Sequence, residues 1–139
     1  NVQYVSNGKT AHYRVDIAKA YPKEAEVRSW IRGFKMNPRN NTIDVNDKYQ
    51  LEEFRKPQSI SFISRIKPQL VKDGFLLQLD NGKKVVINFE RETVTFSLET
   101  KEIEDPRLVK VWGGMLYKMN VLIKSTELKN QVMYKIIAN

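Results

Sequence analysis

The chain has 139 residues, 41% of them hydrophobic, with no cysteine, one histidine and a net charge of +8 from 24 Lys and Arg against 16 Asp and Glu. That length suits one domain with a real core, and the lack of Cys excludes disulfides, thiolate nucleophiles and cysteine-based metal sites. A lone His12 cannot build a multi-histidine centre, no apolar run approaches the ~18 residues needed to span a bilayer, and the positive balance favours polyanions or simply keeps the protein dispersed.

Period-two alternation runs through nearly the whole chain. Val2 and Tyr4, then Tyr13, Val15 and Ile17, flank the turn Ser6-Asn7-Gly8-Lys9 and predict a first hairpin. Ala18 to Glu26 is broken by Tyr21-Pro22, because proline fixes its own φ and biases Tyr21 toward extended geometry. A kinked connection is expected there, with one helical turn after Pro22. Val27 to Met36 alternates Trp30, Arg32, Phe34 and Met36 against Ser29, Ile31, Gly33 and Lys35, which predicts a strand. Asn37 to Asn41 is a turn by composition. Thr42 to Val45 reads as a short strand broken by Asn46-Asp47, with Tyr49, Leu51 and Phe54 resuming the extended period.

Further on, Ile60, Phe62 and Ser64 alternate with Ser61, Ile63 and Arg65 until Pro68. Asn81-Gly82 between Phe75–Asp80 and Lys83–Phe89 predicts a hairpin with a type I′ turn, since Asn-Gly tolerates positive φ at both central positions. Leu76, Leu77, Leu79, Val85, Val86 and Ile87 place apolar groups on both faces of that hairpin, which implies cover on each side or a seat against a neighbouring domain. Val94, Phe96 and Leu98 form another strand, and Ile103 to Pro106 reads as a charged turn. Met115, Tyr117, Met119, Val121 and Ile123 share one face of a long strand, and Val132, Tyr134 and Ile136 form the last. The fold expected is all-β, an antiparallel β-sandwich of about nine or ten short strands. Residues 1–139 are expected to form a single β-sandwich module, and because the first residue is Asn1 and the first Met is Met36, the chain is expected to begin inside a longer gene product or after processing, as the C-terminal fragment of a larger protein.

Asp16-Ile17-Ala18-Lys19-Ala20-Tyr21-Pro22 is followed by Val27-x-x-Trp30-x-Arg32, by Ile43-x-Val45-x-Asp47-x-Tyr49-x-Leu51, and later by Trp112-Gly113-x-x-Leu116-Tyr117. This succession resembles the C-terminal β-sandwich region of the heparinase II/III-like polysaccharide lyases, over most of the chain and most closely at 13–54. The resemblance implies a parent protein with a helical toroid and a large antiparallel β-sandwich, which cleaves acidic, uronic-acid-containing polysaccharide by β-elimination. The Tyr, His and Asn residues of that chemistry, and the metal ligands of some members, lie upstream of the region matched here. No catalytic or metal residue therefore carries over, and His12 matches no family histidine. The resemblance further implies a chain inactive by itself and without a cofactor of its own. Its partners would be the upstream toroid and sandwich domains and, weakly or indirectly, acidic polysaccharide, with no nucleic acid and no membrane. The compartment implied is the bacterial periplasm or the outside of the cell.

Five residues are candidates for a substrate surface: Arg28, Trp30, Arg32, Lys35 and Arg39. An indole flanked by guanidiniums can stack a sugar ring and pair with its sulfate or carboxylate. The competing account makes Trp30 a core residue and lets Arg32 lay its stem along it while bonding a turn carboxylate. With Lys19 and Lys23 the same basic residues could instead steer a polyanion toward a neighbouring site. The alternatives to a lyase module are a stand-alone acidic-glycan or polyanion-binding domain and a purely structural β-sandwich. Asp44 and Asp47 lack the order and the glycine of a calcium loop and read as turn-forming residues. The tyrosines Tyr13, Tyr21, Tyr49, Tyr117 and Tyr134 sit among alternating apolar neighbours, which favours packing over acid–base work.

Overall fold

A computed structural model describes residues 2–139. Its strands are β1 (Val2–Ser6), β2 (Ala11–Asp16), β3 (Val27–Asn37), β4 (Thr42–Leu51), β5 (Ser59–Ser64), β6 (Gln69–Val71), β7 (Gly74–Gln78), β8 (Lys84–Phe89), β9 (Val94–Glu102), β10 (Met115–Ile123) and β11 (Lys129–Ala138), with one α-helix, α1 (Pro106–Trp112). They form an eight-stranded sheet in the order β1-β2-β3-β4-β11-β8-β7-β6 and a three-stranded sheet in the order β5-β10-β9. The strand pairs are antiparallel. The expected all-β sandwich is present, with eleven strands among the described residues.

The second sheet is much the narrower, so it covers only part of the first. Phe62 of β5 meets Phe89 edge-on at 6.3 Å and Tyr134 at 5.7 Å, and Phe89 and Tyr134 stack on each other at 4.6 Å. Phe96 of β9 meets Phe75 at 5.4 Å and Phe89 at 5.8 Å. Such aromatic pairs add roughly 0.5–1.5 kcal/mol each beyond the area they bury. These contacts seat the narrow sheet over β11, β8 and β7. Phe75, Val121 and Ile123 are wholly buried there. Toward the other edge, Val2 and Tyr4 of β1 remain exposed.

Four local readings differ from expectation. Thr42 to Leu51 is one unbroken strand, because Asn46 and Asp47 are paired in register with Gly33 and Arg32. The ladder and the Asp47 carboxylate's partner outweigh the turn preference of Asn-Asp. The Asn81-Gly82 hairpin is not type I′. Gly82 has φ 79 but Asn81 does not take positive φ, and Leu79 accepts from the Gly82 N–H at 3.0 Å while donating to Lys83 O at 2.8 Å. That is the three-residue loop, a type I turn closed by a left-handed glycine. The hairpin that it joins is covered by the narrow sheet on one face only, leaving Leu76 and Val86 half-buried on the other.

The stretch after Asp105 is a helix rather than a turn continuing into loop. Asp105 accepts from the Arg107 N–H at 2.9 Å, Pro106 occupies the first turn, and Gly113 ends it at φ 84. Those are ordinary start and stop signals. Finally, the Tyr21-Pro22 connection holds two 3-10 turns, Ala18–Ala20 before the break and Lys23–Ala25 after it.

Candidate functional site

Alternation along β3 and the register of its neighbours assign every side chain of the large sheet to one of two faces. Trp30, Arg32, Phe34, Asp47, Val132 and Tyr134 share the inner face, toward the core. Lys35, Asp44, Met133 and Lys135 share the outer face.

The five candidate residues do not converge. Trp30 is 1% exposed, stacked between Tyr21 at 5.3 Å and Tyr49 at 5.0 Å, so its ring faces are taken by tyrosines. Arg32 donates from Nε and Nη2 to the two carboxylate oxygens of Asp47, both at 2.7 Å. Asp47 is fully buried, while a quarter of the Arg32 side chain remains exposed. Arg28 falls in a bulge between Val27 and Ser29 and turns out to solvent, 3.7 Å from Glu52. Lys35 lies on the opposite face from Arg32, and Arg39 sits exposed in the 3-10 turn that joins β3 to β4.

Ion pairing and partial burial set the titration of the groups around Arg32 and Asp47. The bond to Asp47 raises the Arg32 pKa further, and burial pushes the Tyr134 phenol up to about 12. Tyr21 and Tyr49 are raised for the same reason. A phenol held protonated that firmly is a poor proton acceptor at neutral pH. His12 and Tyr13 are neighbours in sequence and therefore point to opposite faces of β2. Among the described residues no three His, Asp or Glu side chains gather as metal ligands.

The concave feature is elsewhere. A groove of about 830 Å³ crosses the large sheet and touches β1, β2, β3, β4, β11 and β8. It lies on the outer face: Val45, Phe89 and Tyr134 border it, but their side chains are buried in the core beneath. Its floor is open because Gly33 has no side chain and Asn46 is short. Around it stand His12, Arg14, Lys35, Asp44 and Lys135. Asp44 is bonded to Asn37 at 3.2 Å and lies 3.4 Å from Lys135 Nζ. Of the five candidates only Lys35 lines this groove. Nothing in the local sequence around Arg14 or Lys135 marks either for this groove.

No family model matches the chain, and no curated protein matches it. The architecture is an antiparallel β-sandwich of unequal sheets, and it has counterparts among solved structures. One is the crystal structure of a heparan sulfate lyase HepC mutant from Pedobacter heparinus, which covers 99% of this chain with a TM-score of 0.65 at 9% identity. The match spans 21% of that protein. At that identity the likeness is one of fold. No helix among the described residues is long and apolar enough to cross a membrane.

Proposed function

We propose that the chain is a non-catalytic C-terminal β-sandwich module of a heparinase II/III-like polysaccharide lyase, which degrades acidic, uronic-acid-containing polysaccharide by β-elimination. The observation that carries this reading is the fold likeness to part of a heparan sulfate lyase over 99% of the chain. β-Elimination needs a group to neutralise the uronate carboxylate, a base for the proton beside it and an acid for the leaving oxygen. In support, His12 and the buried Tyr134 stand on opposite faces of the large sheet and do not converge on one substrate. The module's part is then mechanical and electrostatic. It extends the sheet that backs the substrate cleft formed with upstream toroid and sandwich domains, in the periplasm or outside the cell.

The test uses heparan sulfate, alginate and hyaluronate, with the ultraviolet absorbance of unsaturated uronate as readout. The gene product that contains this chain is expected to release unsaturated uronate from one of them, and the 139-residue chain alone to release none. Turnover by the chain alone would overturn the non-catalytic role. No turnover by the whole gene product would overturn the lyase assignment.

A further inference from the structure

We infer that the outer-face groove is a binding site for an acidic polysaccharide chain. It is separate from the cleft that the sandwich supports, and it runs across the strands from β1 to β8. The lyase-related reading enters only in choosing the class of ligand; the site itself stands on the geometry below.

Three cations line the groove, Arg14, Lys35 and Lys135, against the single carboxylate of Asp44, so its formal balance is three minus one, or +2. Arg14 and Lys35 have no ion-pair partner among the described residues. Their positions follow from register. Lys35, Asp44 and Lys135 stand in one cross-strand row, and Arg14 stands in the next outer-face row, opposite Gly33. Successive strands lie about 4.8 Å apart, so the six strands give the groove a run of roughly 24 Å. That is the span of several sugar units. The cations on β2, β3 and β11 are then spaced along the run rather than gathered at one point. A single small anion would use one of them, whereas a chain carrying a charge on each repeat meets them in turn.

The rest of the lining suits a sugar better than a wholly apolar ligand. Most of the groove wall is carbon, and Val5 and Met133 are among the side chains that line it. Pyranose rings present C–H faces to such a wall and hydroxyls to its edges. Asn46 Oδ1, at the floor, has no hydrogen-bond donor among the described residues.

The groove can be blocked without touching its charge. A Cβ on Gly33 meets nothing nearer than Asn46 O at 3.8 Å, so the strand accepts a side chain here, and the longer one of Gly33→Leu is directed into the floor. The probe is a fluorescently labelled heparan sulfate oligosaccharide, and the readout is anisotropy at low salt. The unaltered chain is expected to bind, and to bind more weakly as salt rises. The triple variant R14Q/K35Q/K135Q is expected to lose about tenfold or more in affinity, from three exposed charge contacts. G33L is expected to weaken binding by about tenfold with an unchanged melting temperature. A control variant, K67Q/K101Q/K110Q, removes three exposed cations elsewhere and is expected to bind within about twofold of the unaltered chain.

Equal losses in the two triple variants would overturn the inference in favour of diffuse attraction by net charge. Unchanged binding by a folded G33L would place the ligand outside the groove. Equally tight binding of a single-stranded oligodeoxynucleotide would make the surface a general polyanion binder and sink the glycan assignment. Absence of binding by the unaltered chain at low salt would overturn the groove while leaving the lyase assignment to the turnover assay.

Discussion

Replacing Arg32 by Leu strands a carboxylate in the core, and the cost can be worked out from the geometry. Asp47 is 0% exposed and receives both of its strong hydrogen bonds from Arg32. Its remaining surroundings on the inner face include Val132, its register partner on β11. Removing one member of a buried pair leaves the other charge uncompensated, at a cost of about 3–5 kcal/mol. That is a large share of the roughly 5–15 kcal/mol available to a domain. The reverse change is milder. In Asp47→Asn the amide oxygen still accepts one bond, and the guanidinium, a quarter exposed, reaches water, so about 1–3 kcal/mol is expected. The double variant R32L/D47L removes both charges and fills the space with methyl groups, and it should return to within about 1 kcal/mol of the parent. Urea unfolding read by tryptophan fluorescence measures all four proteins. With a slope of about 2 kcal/mol per molar, R32L moves the midpoint down by roughly 2 M at constant slope. The reasoning fails if R32L costs under about 1 kcal/mol, or if R32L/D47L loses as much stability as R32L alone.

Two further outcomes follow from the same core. Burial raises the Tyr134 pKa from 10.0 to about 12, so the folded chain holds the phenolic proton more tightly than the unfolded chain. Stability is therefore intact below about pH 10 and falls between pH 10 and 12, by roughly 2–3 kcal/mol for this one group. Tyr134→Phe keeps the ring stack and should flatten that alkaline decline in a pH series of urea midpoints; identical curves for the two proteins would contradict it. Tyr21 and Tyr49 shift in the same sense and leave the variant a residual slope. Gly74→Ala places a Cβ 1.9 Å from the Ile87 carbonyl oxygen at φ +151, so backbone must move. A loss of about 3 kcal/mol or more and a melting temperature lower by about 10 °C are expected, and a drop of only a degree or two would refute the geometry.

Alternation alone determined a good deal. It located β3, β7, β8, β10 and β11 and favoured packing for the tyrosines, because a half-buried strand must present every second side chain to the core, but it left Trp30 between a sugar platform and the core. It also held the α1 signals, Asp105-Pro106 and Gly113, although a helix of one class amid strands of another is easily passed over. A period of two says which side chains share a face; it is silent about which strands lie side by side. Only the tertiary structure decided that β11, from the far end of the chain, inserts between β4 and β8. That insertion brings Lys135 beside Asp44 and completes a groove with Arg14 and Lys35. It likewise took the folded sheet to show that Asp47 is locked under Arg32 instead of ending a strand. Pairings between residues so far apart in sequence leave no local trace, since their free energy is realised only when the whole sheet closes.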